Sequence, residues 1–162
     1  MRPRVQPLPP EQWDDFQKAN PLNVFTTLAR HPTLYRAWLR FGGALLYGTL
    51  PARDRELAIL RTAHHRGSAY EWAQHVRIAR EAGLSDQEIE SVRQADATWE
   101  PADRLVLRVA DELHTGGDLS DATWAALCER YDEPGRIELV MLVAHYDMLA
   151  VVLNTLRVRI ED

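Results

Sequence analysis

The sequence predicts an all-α fold, on three observations. Apolar residues recur at helical spacing along nearly the whole chain, and no β-branched alternation is long enough to suggest a sheet. Prolines and serines precede the periodic runs, and glycines follow several of them, which is the punctuation of helix starts and stops. The length of 162 residues, with 46% apolar and 27% charged residues, suits one compact domain with its own core.

The proline-rich first ten residues read as an extended arm, and 11–19 as a short helix stopped by Asn20-Pro21. Together 1–19 form an amino-terminal appendage to a single domain over 20–162. Pro32 opens a helix carrying Leu34, Trp38, Phe41 and Leu45, in which Gly42-Gly43 would let another backbone approach. Pro51 lies in the first turn of the helix that carries Glu56, and Arg66-Gly67-Ser68 ends it. Ser68 caps the next helix, which runs to Ala82 and stops at Gly83, and Ser85 caps the one after. Pro101, Ser120 and Pro134 mark later helices over about 101–115, 120–131 and 134–159. The last is apolar nearly all round, so it must be buried on several faces, and part of its surface is expected to meet another subunit.

A formal charge of −5 and a pI near 5.7, with cations scattered among acids, give no attraction to phosphate backbones or anionic lipid. No nucleic-acid or membrane partner is expected. The start of the chain lacks an apolar signal core and no stretch reads as a membrane span, so a cytoplasmic protein is expected. Cys128 is the single cysteine. It excludes an intrachain disulfide and a cysteine-based zinc cluster, and reads as a small core residue.

The chemistry concentrates in Glu56 and in Ser68-Ala69-Tyr70-Glu71-Trp72-Ala73-Gln74-His75. Glu71 and His75 are four apart, so on one helix they rise from the same face and can share a pocket. Glu56, on the preceding helix, can fold back toward them and set the orientation of His75. Ser68-x-x-Glu71 is also a capping box, as is Ser85-x-x-Glu88, so Glu71 has two readings, acid or helix cap. His145 and Tyr146 fall mid-helix among apolar residues, where a polar side chain needs a partner, and are candidates to line the pocket. Glu56, Glu71 and His75 would also make up a facial triad of two carboxylates and one imidazole. No phosphate loop, dinucleotide fingerprint or nucleophile elbow is present.

The spacing of Glu56, Ser68, Glu71 and His75, and the text from Arg55-Glu56-Leu57-Ala58 through Gly83-Leu84-Ser85, resemble the AhpD group within the carboxymuconolactone decarboxylase family. The resemblance covers about residues 20–160. In the peroxidase branch of that group Ser68 and Glu71 would be the redox cysteines and Tyr70 a relay histidine; the decarboxylase branch lacks the cysteine pair and carries Glu-x-x-x-His, as here. The resemblance implies an AhpD-like helical bundle that forms homotrimers or homohexamers. It also implies a cofactor-free and metal-free lyase acting on a small carboxylated lactone or related ring acid. On this reading Glu56, Glu71 and His75 are catalytic, a cation such as Arg61 or Arg66 orients the carboxylate, and Ser68, Tyr70, His145 and Tyr146 contact the substrate. An isomerase or lactone hydrolase on a similar molecule, and a non-catalytic ligand-binding or scaffold protein, are the alternatives.

Overall fold

The computed structural model describes residues 2–95 and 97–161, which form nine α-helices and no strand among the described residues. A 3₁₀ turn at Pro10–Gln12 is followed by α1 (Asp15–Ala19), α2 (Asn23–Leu28), α3 (Pro32–Leu46), α4 (Ala52–His65) and α5 (Ala69–Glu81). Then come α6 (Asp86–Ser91), α7 (Pro101–Gly116), α8 (Asp121–Arg130) and α9 (Glu133–Leu156). Asp14 starts α1 with a reciprocal cap to Gln17, four residues later than the sequence suggests.

Helix α4 is the axis of the molecule and packs on α5, α7 and α9. Every residue from Glu56 to Ala63 is buried. Asp54 is buried too, and these acids and Arg61 are paired, because an unpaired buried charge is too costly to keep. Asp54 accepts two bonds from Arg130 at 2.8 Å and one from the Tyr131 hydroxyl at 2.5 Å. Arg61 donates to Asp111 at 2.6 and 3.1 Å and to the Val92 carbonyl.

The extended arm is pinned by Arg4 N–H to the Leu156 carbonyl and by Leu8 N–H to the Thr26 carbonyl, each at 2.9 Å. Helix α2, absent from the sequence reading, has no capping side chain of its own. Its first amides are satisfied from far along the chain: Asn23 N–H donates to Glu161 at 2.5 Å and Val24 N–H to the Tyr70 hydroxyl at 3.1 Å. At the α3–α4 junction Glu138 accepts from the Thr49 hydroxyl and from the Thr49 and Leu50 amides. A Cβ on Gly48 would clash with that carboxylate, so a side chain there would push Glu138 off these amides.

Three expectations are corrected. Gly42 faces the His145 ring, with a Cβ position 3.5 Å from Nε2, and Gly43 has nothing within 4 Å, so neither receives another backbone. Cys128 is exposed on α8, whose core-facing residues are Thr123 and Leu127. Helix α9 does reach the length and mean hydropathy (1.7) of a membrane span, but it packs against α3, α4, α7 and α8 as a core helix. Its exposed apolar residues Ile137, Met141, Met148 and Val151 recur every three, four or seven positions and form one stripe.

Candidate active site

The site is built by the α4–α5 hairpin. Gly67 takes a positive φ of 58°, where a side chain would be strained, and the turn closes with Ser68 N–H donating to the Ala63 carbonyl at 2.9 Å. The two helices then run back side by side, and His75 Nδ1 meets Glu56 Oε2 at 2.7 Å. The other Glu56 oxygen accepts from Arg55 Nε at 3.0 Å. Glu56 is 0% and His75 7% exposed, so this contact is shielded from water on the Glu56 side. The Tyr146 ring stands edge-on to His75 at 4.9 Å and to His145 at 5.4 Å, so α9 closes the site from above.

Glu71, one turn before His75, is 2% exposed, and neither carboxylate oxygen has a hydrogen-bond partner. Burial raises its pKa to about 8; the nearby Ser68 hydroxyl, too poorly placed for a hydrogen bond, opposes the rise and the charge of Asp147 adds to it. Ser68 Oγ does accept the Glu71 N–H, at 3.5 Å, but Glu71 does not return the bond. The amide it would have to reach, Ser68 N–H, is already spent on Ala63 in the turn. Tyr146 is likewise held well above the usual phenol range by burial, with the charges of Glu56 and Glu71 adding to it.

The other sequence candidates separate in space. His145 lies on the far side of Tyr146, between Trp38 and Phe41, with Nδ1 unpartnered and its pKa lowered to about 4 by burial, so it is neutral at pH 7. The Tyr70 hydroxyl donates to Glu161 at 2.7 Å and is turned to the carboxyl-terminal segment. Arg61 is five residues after Glu56, about 140° round the helix, and so faces Asp111 on α7. Arg66 is likewise held by Asp147, at 2.5 and 2.6 Å. Of the two arginines near Glu56 in sequence, Arg55 is the one that holds it, although adjacent residues do not face each other on an ideal helix.

An apolar groove of about 640 Å³ bounded by α2, α3 and α9 touches none of Glu56, Glu71 and His75. It reaches only Trp38 and Phe41, the residues that hold His145. Among the described residues no group of three or more His, Cys, Asp or Glu side chains is placed to hold a metal ion.

Residues 32–112 match the model of the carboxymuconolactone decarboxylase family. No curated protein matches the chain. Solved structures share the fold along nearly its whole length. A protein from Ralstonia eutropha JMP134, described as an alkylhydroperoxidase AhpD core and an uncharacterized peroxidase-related protein, superposes with a TM-score of 0.84 at 22% identity, covering 100% of this chain and 95% of that one. An uncharacterized peroxidase-related protein from Silicibacter sp. TM1040 gives 0.80 at 16% identity, covering 98% and 89%. The debrominase Bmp8, in complex with 2,3,4-tribromopyrrole, gives 0.81 at 18% identity, covering 99% and 93%. The shared architecture is the AhpD-like helical fold.

Proposed function

Because the chain belongs to the carboxymuconolactone decarboxylase family, we propose that it is a small-molecule enzyme working by acid–base chemistry at Glu71, His75 and Glu56. Its reaction on this reading is that of a cofactor-free lyase that decarboxylates a small carboxylated lactone or related ring acid. The observation that carries the proposal is Glu71, a buried carboxyl with no hydrogen-bond partner, set one turn from a histidine that Glu56 already orients. That the fold can hold a small flat ring is supported by the Bmp8 complex with tribromopyrrole.

With a pKa near 8, Glu71 keeps its proton at neutral pH and can act as the acid. In the tautomer that carries its proton on Nδ1, His75 donates to Glu56 Oε2, and Nε2 is then an acceptor. In the step proposed, the bond from the ring carbon to the carboxylate breaks and CO₂ leaves. The electron pair moves into a conjugated carbonyl, and the Glu71 proton passes to the resulting carbanion. Water then returns a proton to Glu71, with His75 as the relay. Tyr146 packs against the imidazole and restricts its rotation. An acid and a base on one helix face also suit a proton shift without loss of CO₂, which is the isomerase reading.

The test is CO₂ release from a panel of carboxylated lactones and ring acids. Turnover should fall by roughly 10²-fold in Glu71→Gln, the scale of one positioned proton-transfer group, with the fold intact. Product formation without CO₂ would favour the isomerase, and ligand binding without any conversion would favour the non-catalytic reading. The reading includes a cytoplasmic homotrimer or homohexamer, supported by the exposed apolar stripe of α9. Sedimentation at micromolar concentration should show it, and a stable monomer would contradict it.

A further inference from the structure

Beside the turn that joins α4 to α5 lies a second cavity, of about 380 Å³. Ala63, Gly67, Ala69 and Ala73 line it, so the hollow exists because one side of the hairpin lacks side-chain bulk. Trp72 and Arg93 form the opposite character on the same lining, with the guanidinium lying 3.9 Å from the centre of the indole ring. Stacking of this kind fixes the guanidinium plane and leaves its in-plane N–H groups free for a carboxylate. Among the described residues no carboxylate lines the cavity. The acid at ion-pair distance from Arg93 is Glu90, at 3.8 Å, and the two side chains are 42% and 63% exposed, so the pair is weak. Arg61 and Arg66, by contrast, are each held bidentately by an aspartate. Ser68 connects this cavity to the acid: it is 1% exposed, lines the cavity, and accepts the Glu71 N–H.

We propose that this cavity is the recognition site for a flat, single-ring monocarboxylate, whose carboxylate binds the Arg93 guanidinium while its ring lies over Ala69 and Ala73. The inference rests on the acid–base reading of the Glu71 site, to which it supplies a substrate class and a cation. Trp72 is a positioning residue that holds Arg93. His64, at the rim, is pushed below the usual imidazole range by burial first and then by neighbouring cations, so it is neutral at pH 7 and Arg93 is the charged group of the lining. Bidentate guanidinium–carboxylate geometry favours an anion over its neutral amide.

The test is a titration of the ¹⁵N-indole-labelled protein with benzoate and, separately, with benzamide, following the Trp72 indole resonance assigned by Trp72→Phe. Benzoate should move that resonance saturably and benzamide should not. Arg93→Gln should weaken benzoate at least tenfold, Ala73→Leu should abolish binding by filling the floor, and Arg77→Gln, which removes an exposed charge on α5, should leave it unchanged. No saturable response to benzoate, an equal response to benzamide, or an unchanged affinity in Arg93→Gln would each overturn the inference. The two readings fail separately. Turnover that needs Glu71 with a KM indifferent to Arg93 removes the recognition site alone, and Arg93-dependent benzoate binding in a protein whose turnover ignores Glu71 removes the acid alone.

Discussion

The segments Ser68 to Glu71 and Ser85 to Glu88 share the pattern Ser-x-x-Glu at the start of a helix, and the fold uses them in opposite ways. At Ser85 the box closes: Ser85 N–H and Oγ–H both donate to Glu88 at 2.8 Å, and Glu88 N–H donates to Ser85 Oγ at 3.2 Å. Arg53 adds an ion pair to Glu88 at 2.5 Å, and this pairing, with the Ser85 bonds, lowers the Glu88 pKa to about 2. At Ser68 the box stays half open and Glu71 rises to about 8. The cause is one residue of linker. Gly67 is followed directly by Ser68, whose N–H closes the previous helix onto Ala63, whereas after Gly83 that closing bond to Ala79 is made by Leu84, leaving Ser85 N–H free. On the proposed function, a glutamate denied its cap and buried beside His75 serves as the acid.

The largest expected difference between the two positions is catalytic. On the proposed function, Glu71→Gln lowers turnover roughly 10²-fold, while Glu88→Gln leaves kcat unchanged in the same assay. His75→Ala should abolish turnover, and equal activity of the wild type and Glu71→Gln would dissolve the contrast.

Stability against pH separates them next, with opposite signs. A Glu71 pKa raised above its unfolded value means the folded state binds the extra proton, so its contribution is fully present below about pH 4.5 and declines as pH rises toward 8. By pH 8 the decline is on the order of 4 kcal/mol. Denaturation of Glu71→Gln should match the wild type near pH 4.5 and exceed it at pH 8. Glu88 behaves in reverse: its depressed pKa adds stability above pH 4.5 that is lost as pH falls toward 2. Because Glu88 and Arg53 are about a third exposed, solvent screening holds that contribution to no more than about 1 kcal/mol.

The smallest effect concerns the serines. Ser85→Ala removes a reciprocal cap and should cost about 1 kcal/mol, measurable as a shifted urea midpoint. Ser68→Ala removes one long bond of 3.5 Å and should cost less. A larger loss at Ser68 would mean that the α5 cap is stronger than its geometry.

Much of this architecture was legible in the sequence because helix ends are written in local chemistry. Pro32, Pro101, Ser85 and Ser120 each stand at or next to a helix start in the structure. Helix α2 was not legible, since Tyr70 and Glu161 cap it from 46 and 138 residues away. The spacing of Glu71 and His75 placed them on one face, and the hairpin brought Glu56 to His75. Spacing did not tell which nearby arginines an aspartate would claim. Arg61 and Arg66 are claimed by aspartates on α7 and α9, while Arg93 comes from the segment after α6. Nor could Ser-x-x-Glu reveal whether its glutamate caps, because the competing bond starts in the preceding helix.

On the proposed function Glu71 holds its proton at neutral pH while its counterpart Glu88 does not. The direct measurement is the pH titration of the two side-chain carboxyl ¹³C resonances in selectively labelled protein, assigned with Glu71→Gln and Glu88→Gln. A Glu71 midpoint near 8 with Glu88 near 2 is the result predicted. A Glu71 midpoint at or below the ordinary 4.5 would contradict it and return Glu71 to the role of an ionised helix-start carboxylate.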